Sequence, residues 1–280
     1  MTSTRALLPD DVDVEAYFQR IGYAGRRDAT LETLADLHLH HPQVIPFEDL
    51  DPLLKRPVLL NAAAIERKIL FSGRGGWCYE QNLLLGNVLQ TLGFQVTGLA
   101  ARVMWNGPED MVRARTHMLL LIDDLDGGPY IADVGFGGLT LTGPLRLVPD
   151  VEQPTPHETF RLLLDAEGVY VLQVRLRDAW KPLYSFDLQP QLLVDYDVWN
   201  WHLCHHPDSP FVNNLMAARV TLDRRYGLLN NKLSIHVLNG ESQQTTLASA
   251  MELRGTLEHL FGIELPDDPG VEALLRRLAG

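Results

Sequence analysis

The chain has 280 residues with 36 acidic and 24 basic side chains, a balance that argues against binding to nucleic acids or membrane surfaces. This length exceeds the common domain size of about 100–150 residues, so two or three packed units are expected. Two cysteines make no disulfide framework, and neither a signal-like segment among the first 13 residues nor an apolar run of about 18 residues is present, so we expect a cytoplasmic protein without membrane or nucleic-acid partners.

Helical patterns fill residues 1–93. Apolar side chains recur there at helical spacing, and polar residues that cap helices precede several of these runs. Proline disfavours helical backbone at the residue before it, so a second helix is expected to have ended by Pro42. The predicted helices cover 14–21, 31 to about 41 behind a cap at Thr30, 61 to about 73, and 78–93.

Strand patterns begin at Phe94. Residues 118–122 and 130–134 are short apolar runs on either side of 123–129, whose Asp, Gly and Pro residues are typical of a turn, so they predict an antiparallel hairpin. Further predicted elements are strands at 94–103, 160–164, 169–176, 183–188, 218–222 and 232–237, a turn at 224–227, and helices at 247–261 and 271–278. This order predicts a helical unit at 1–93, a β unit at 94–190 and a mixed α/β unit at 191–280.

The most informative segment is Arg74 to Asn82, in which two glycines precede Cys78 and a helical pattern follows it. Cys78 therefore lies at or just before a helix N-terminus, where unpaired N–H groups and the helix dipole favour an anion such as a thiolate. A thiolate is the nucleophilic form of cysteine. A buried structural cysteine is the alternative, and the local sequence leaves both open.

A cysteine nucleophile needs a base and a residue that orients the base. His117 lies at the start of the first hairpin strand and Asp133 near the end of the second. If the register centres on residue 125, the two are cross-strand neighbours with Cβ atoms about 4.5–5.5 Å apart. A slip of one residue would place them on opposite faces. Together with Cys78, the pair predicts a Cys-His-Asp triad, which is recognised by roles rather than by sequence adjacency.

Two histidine-rich segments suggest metal binding, but neither has the spacing of a site. Structural zinc sites normally use two separated ligand pairs. We therefore predict no metal and interpret 201–206 as a loop near the substrate pocket and the histidines at 38–41 as a helix end. Glu48 and Arg74 are hypothesised to form a buried ion pair, while Arg224 and Arg225 are assigned to a solvated turn.

Four motifs in order resemble the arylamine N-acetyltransferases, over a stretch from about Val14 to the C-terminus. The motifs are Tyr17 to Tyr23, Ile45 to Glu48, Arg74 to Glu80 and Asp133 to Gly138. The resemblance implies an α+β fold of several units: an N-terminal helical bundle, a central antiparallel β-barrel and a C-terminal α/β lid. It also implies a thiol-protease-like core in which Cys78, His117 and Asp133 are the catalytic triad.

The resemblance further implies the substrates and their site. Acetyl-CoA would be a co-substrate rather than a permanently bound cofactor, and arylamines, arylhydrazines or N-hydroxyarylamines would be acceptors in a ping-pong reaction through acetyl-cysteine. The implied substrate pocket consists of Phe47, Val103, Phe136 and Phe211, and the implied cofactor contacts are Gly135, Gly137 and Gly138. Arg219 and Lys232 are expected to help hold the cofactor's phosphates.

Trp77, Asp49 and Pro210 depart from the usual family pattern, and Pro210 is expected to affect which acceptors fit. Three rivals stay open. They are an amide synthase for larger acyl thioesters, a thiol hydrolase or transglutaminase-like enzyme, and a non-catalytic binding protein with Cys78 in its core. The sequence names neither the physiological acceptor nor an oligomeric state.

Overall fold

The computed structural model describes residues 6–108 and 112–280. The first five residues, part of the segment tested for a signal peptide, lie outside this range. Within it, helices come first, an antiparallel barrel follows, and a mixed α/β part ends the chain. The predicted fold class is confirmed.

The helical part contains four predicted helices and one that was missed. Side chains of Asp13, Thr30 and Asn61 accept hydrogen bonds from backbone N–H groups and cap three of them. The helices are α1 (Val14–Ile21), α2 (Leu31–Val44), α3 (Leu50–Leu53), α4 (Ala62–Ile65) with a π-helical continuation over Glu66–Phe71, and α5 (Cys78–Thr91).

The prediction that Pro42 marks the end of the second helix was wrong. Pro42 lies inside the last turn of α2, which runs to Val44. A proline there removes a single hydrogen bond near the helix end, and its ring is buried.

Strands β2 to β9 form one antiparallel eight-stranded sheet. Its strand order is β5-β4-β3-β2-β9-β8-β7-β6. Its two edges meet through Gln153, whose side chain accepts from the Arg146 N–H and donates to the Arg146 carbonyl at 2.8 and 2.9 Å, so the barrel is nearly closed. In chain order, after β1 (Phe47–Glu48), the strands are β2 (Gln95–Val103), β3 (Arg115–Asp123), β4 (Tyr130–Ala132), β5 (Leu145–Arg146), β6 (Gln153–Pro154), β7 (Thr159–Leu164), β8 (Tyr170–Leu176) and β9 (Ala179–Phe186).

The C-terminal part pairs helices with a five-stranded sheet of order β1-β10-β11-β12-β13. Strand β1 comes from the helical part of the chain, and Leu50 and Leu53 pack in the apolar core of this sheet. The division at 93/94 and 190/191 stays a prediction. The elements are α6 (Leu193–His205), α7 (Pro210–Asn213), β10 (Met216–Val220), β11 (Arg224–Leu229), β12 (Lys232–Val237), β13 (Ser242–Thr246), α8 (Ala250–Gly255) with a π-helical continuation over Thr256–Leu260, and α9 (Pro269–Ala279).

Two local predictions in this part were wrong. Residues 224–227 are not a turn but belong to β11, which pairs with β10 and β12. Residues 201–205 are the end of helix α6 rather than a loop. Apolar side chains on α6 point into solvent, so the helix lacks the one-sided pattern that would have predicted it.

Helix α5 is buried over most of its length, from Cys78 to Leu89. Its faces carry leucines and valine, and its amide side chains are hydrogen-bonded inside the protein. The helix contacts strands β2 and β3 of the barrel. This packing places the N-terminus of α5 beside the start of β3, where His117 lies.

Candidate active site

The loop before Cys78 is held against the chain at Pro46. The Gly76 N–H donates to the Pro46 carbonyl at 3.2 Å, and the Glu48 N–H donates to the Gly76 carbonyl at 3.1 Å. A Cβ atom at Gly75 would come within 2.1 Å of the Pro46 oxygen, so only glycine permits this approach. Helix α5 then begins at Cys78, with Glu80 accepting from the Trp77 N–H at 3.1 Å.

Buried charges stabilise the same loop. Arg74 contacts Glu48 Oε1 through Nε at 2.9 Å and Nη2 at 2.7 Å, which confirms the hypothesised ion pair. Lys68 joins it, with Nζ 2.9 Å from Glu80 and 2.8 Å from Asp51. Burial alone would lower the pKa of Lys68, but the surrounding carboxylates raise it above its usual value, so the amine stays charged.

Glu48→Gln is expected to destabilise the protein by about 3 kcal/mol, because it leaves the Arg74 guanidinium buried without its closest anion. Urea unfolding measures this change. Glu15→Gln is the matched control, since Glu15 pairs with Arg27 at the exposed surface, where such pairs contribute less than about 1 kcal/mol. A Glu48→Gln protein equal to wild type in stability and activity would show that the pair has no role.

The three predicted catalytic side chains lie together. His117 Nε2 donates to Asp133 Oδ2 at 2.7 Å, because a carboxylate can only accept. The imidazole also interacts electrostatically with Cys78, whose Sγ lies 3.9 Å from the Thr116 carbonyl. Cys78 and His117 are 7% and 3% exposed, and Asp133 is fully buried.

The hairpin register differs from the prediction by two residues. Leu120 pairs with Ala132, so Asp133 is opposite Leu119 rather than opposite His117. A shift of two keeps both side chains on one face of the sheet, since side chains alternate with a period of two. The contact therefore forms diagonally.

Asp133 is held in place by further donors. Asn82 Nδ2 and the Gly135 N–H both donate to its Oδ1 at 3.0 Å. Burial alone would raise the pKa of Asp133, but the charge and hydrogen bond of His117, with those two donors, lower it. The carboxylate is thus ionised at neutral pH.

The charge on His117 follows from this partner. Burial alone would lower the pKa of His117, yet Asp133, and to a smaller degree Cys78, raise it to about 10. The ring is therefore an imidazolium at neutral pH. This positive ring and the Cys78 side chain line the same cavity.

A cavity of about 1610 Å³ opens onto Cys78 and His117. Asp133 lies behind the imidazole and does not line it. All seven predicted substrate and cofactor residues line this cavity, namely Phe47, Val103, Gly135, Phe136, Gly137, Gly138 and Phe211. Phe136 meets the His117 ring edge-on at 5.1 Å between centroids, so an apolar wall lies next to the imidazole.

The chain is similar in sequence to proteins named arylamine N-acetyltransferase. An N-acetyltransferase family model matches residues 30–269. The arylamine N-acetyltransferase of Mycobacterium tuberculosis is 43% identical over 259 residues, which are 91% of this chain and 91% of that protein. The Escherichia coli enzyme of the same name is 40% identical over 90% of this chain and 89% of its own.

The chain belongs to the arylamine N-acetyltransferase family. It is therefore an acyltransferase. The solved structure of the M. tuberculosis enzyme superimposes with a TM-score of 0.90 at 42% identity, covering 94% of this chain and all of that one. The Mycobacterium marinum enzyme in complex with CoA has a TM-score of 0.91 at 40% identity, covering 96% and 100% of the two chains.

The glycine loop after Asp133 packs against the start of helix α5. A Cβ atom at Gly135 would lie 2.6 Å from the Cys78 Cα, so a side chain there would displace Cys78. Because the Gly135 N–H already donates to Asp133, it is not available to a ligand. Gly137 and Gly138 face the cavity without that bond.

Arg225 lies on β11 of the five-stranded sheet and contacts this glycine loop. Its assignment to a solvated turn was therefore wrong. Its guanidinium forms a bidentate pair with Glu158 at 2.8 and 2.6 Å and donates to the Thr140 carbonyl at 3.0 Å. It also reaches the Gly138 carbonyl at 3.4 Å. The side chain is buried because these acceptors replace water.

Arg225→Gln is expected to speed amide hydrogen exchange in residues 136–140 by about tenfold, because the loop loses its charged donor. Arg224→Gln is the matched control, since Arg224 pairs with Asp223 at the surface. Exchange measured by mass spectrometry tests the difference. Equal exchange in both variants would exclude Arg225 as the support of this loop.

The two residues expected to hold the cofactor's phosphates differ in whether they line the cavity. Arg219 was predicted to hold phosphate, but its Nε and Nη1 donate to the carbonyls of Gln43 and Leu260 at 2.8 and 3.1 Å, and it does not line the cavity. Lys232 does line it. That part of the prediction stays open for Lys232 alone.

Of the residues that depart from the family pattern, Trp77 is buried and packs edge-on against Phe211 at 5.2 Å between centroids. It therefore supports the pocket wall from behind. Pro210 lines the cavity at the first position of α7, where a missing N–H costs nothing.

Several residues around the site were not predicted. Asn82 is four positions after Cys78 on α5, a spacing that puts both on one helix face and would have revealed it. No such spacing pointed to His38, because it contacts Asp133 from a helix 95 residues away in sequence. Within residues 6–108 and 112–280, no group of three potential ligands is placed to hold a metal, and no helix is long and apolar enough to cross a membrane.

Proposed function

We propose that the protein transfers the acetyl group of acetyl-CoA to the nitrogen of arylamines or arylhydrazines, and to the oxygen of N-hydroxyarylamines, through an acetyl group on Cys78. The observation that carries this proposal is that Cys78 and His117, which is paired with Asp133, line one large, partly aromatic cavity. The relatives support the substrates. One was solved with CoA, and the Salmonella typhimurium relative, 37% identical over 91% of this chain and 90% of its own, is also named an N-hydroxyarylamine O-acetyltransferase.

In the first half-reaction, the Cys78 thiolate attacks the thioester carbonyl while the thiol proton stays on His117. Unpaired N–H groups in the first turn of α5 are placed to stabilise the oxyanion. Collapse of this intermediate breaks the carbon–sulfur bond to CoA. His117 gives its proton to the departing CoA thiolate, and acetyl-Cys78 and a neutral imidazole remain.

In the second half-reaction, the acceptor nitrogen attacks acetyl-Cys78, and His117 takes the proton that the amine loses. The Cys78 thiolate leaves as the new amide forms, which restores the thiolate and imidazolium. Asp133 keeps the imidazole in the required orientation throughout. An aryl amine is uncharged at neutral pH, so it enters a cavity walled by Phe47, Phe136 and Phe211 without a charge-burial penalty.

The test is intact mass after mixing the protein with acetyl-CoA and no acceptor. We expect one added acetyl group, mapped to the peptide that contains Cys78. With an aryl amine as acceptor, we expect ping-pong kinetics, seen as parallel lines in double-reciprocal plots. Absence of the adduct, or its location on another residue, would overturn the proposal.

The rivals give different results in the same experiments. Turnover with longer acyl thioesters but not with acetyl-CoA identifies an amide synthase. Acetate release at the rate of transfer identifies a hydrolase. Slow alkylation of Cys78 by iodoacetamide without pH dependence identifies a binding protein in which Cys78 is a core residue.

A further inference from the structure

Helix α2 places a histidine directly behind the triad. His38 is fully buried, and its Nε2 lies 3.0 Å from the backbone nitrogen of Asp133. The backbone N–H can only donate, so Nε2 accepts and the ring proton is on Nδ1. His38 is therefore the Nδ1-protonated tautomer, whereas His117 donates through its Nε2.

Few other partners fix the backbone of Asp133. Its carbonyl accepts from the Thr140 hydroxyl at 3.0 Å, and its side chain accepts from Asn82, Gly135 and His117. His38 is the acceptor for its N–H. Because Asp133 lies just beyond the end of β4, no strand pairing holds this nitrogen.

We infer that His38 is a positioning residue for the triad, which accepts the Asp133 N–H and so sets the direction in which the carboxylate meets His117. The inference rests on the triad proposed above. His38 itself does not line the cavity.

The surroundings keep His38 able to accept a hydrogen bond. Burial lowers its pKa to about 4, against the opposing charge of Asp133, so the ring is neutral at neutral pH. The titratable groups that face it are Asp133 and, on its own helix, His41. His41 is also buried and neutral. Of the two titratable neighbours of His38, Asp133 is therefore the charged one.

His41 provides a matched control. It lies on the same helix, is equally buried, and hydrogen-bonds the Tyr17 hydroxyl through Nδ1 at 3.0 Å rather than Asp133. His38→Leu and His41→Leu therefore remove the same ring from the same helix, and each leaves one buried donor or acceptor without its partner. A general loss of stability affects both variants.

The experiment measures the rate of Cys78 alkylation by iodoacetamide from pH 5 to 9, without substrate. His38→Leu is expected to slow alkylation at pH 7 by about tenfold and to make the rate rise with pH, since a displaced carboxylate no longer keeps His117 charged. His41→Leu is expected to stay within about twofold of wild type. His38→Gln, whose side-chain oxygen reaches the position of Nε2, is expected to restore the wild-type profile.

Equal effects of His38→Leu and His41→Leu, or no effect of either, would overturn the inference. If His38→Leu does not fold, His38→Asn takes its place, because its shorter amide falls short of the Asp133 N–H. Slow alkylation of the wild type would instead contradict the proposed triad. The wild-type profile therefore distinguishes failure of the proposed function from failure of the role of His38.

Discussion

Cys78→Ser is expected to reduce acetyl transfer at least about a thousandfold and to remove the acetyl-enzyme adduct from the mass spectrum. Serine nearly preserves the shape of the side chain, but its hydroxyl is far less readily ionised than a thiol, and the imidazolium of His117 cannot act as its base. Transfer rates and intact mass with acetyl-CoA are the measurements.

The control for Cys78→Ser is Cys204→Ser, because both cysteines are free and buried and Cys204 does not line the cavity. Full activity is expected for Cys204→Ser, apart from effects of stability. Loss of the adduct in that variant, or its persistence in Cys78→Ser, would show that the acetyl group is not carried by the sulfur of Cys78.

Asp133→Asn is expected to reduce transfer by at least about a thousandfold and to change the pH dependence of Cys78 alkylation. In the wild type, Asp133 raises the pKa of His117 to about 10, so the imidazolium is present from pH 5 to 9 and the alkylation rate varies little. Without the carboxylate, burial dominates and lowers the pKa of His117. The ring is then neutral at pH 7, the thiolate loses its counter-charge, and the rate becomes low at pH 7 and rises with pH.

Iodoacetamide kinetics and steady-state transfer check both halves of this prediction. Asp187→Asn serves as the control, because Asp187 pairs with Arg115 at the barrel surface, two residues from His117 along β3. An Asp133→Asn protein with the flat alkylation profile of the wild type would show that Asp133 does not set the charge of His117.

The nucleophile segment illustrates how far local pattern reaches. The glycines at 75 and 76 and the apolar period after Cys78 predicted a helix that begins at the cysteine, and α5 begins there. The face shared by His117 and Asp133 was also predictable, because the alternation of side chains tolerates the two-residue error in register. In both cases neighbouring residues carry the information.

Other residues depend on partners distant in the chain. Arg225 beside Arg224 and Gly227 has the composition of a turn, yet Glu158, 67 residues earlier, supplies the charge that allows burial within a strand. Helix α6 has apolar side chains on several faces, so its sequence has no helical periodicity from which the helix could be predicted. The cytoplasmic location and the three-unit division of the chain stay predictions.

Most helices and strands, and the position of Cys78 at a helix N-terminus, follow from short-range pattern, since caps, glycines and apolar spacing act within one or two turns of chain. The ionisation of the site does not. Asp133 is charged because Asn82, Gly135 and His117 surround it, and His38 reaches it from α2. Those contacts exist because the helical part packs against the barrel. Burial and charge at one atom depend on every group that packing brings within a few ångströms of it.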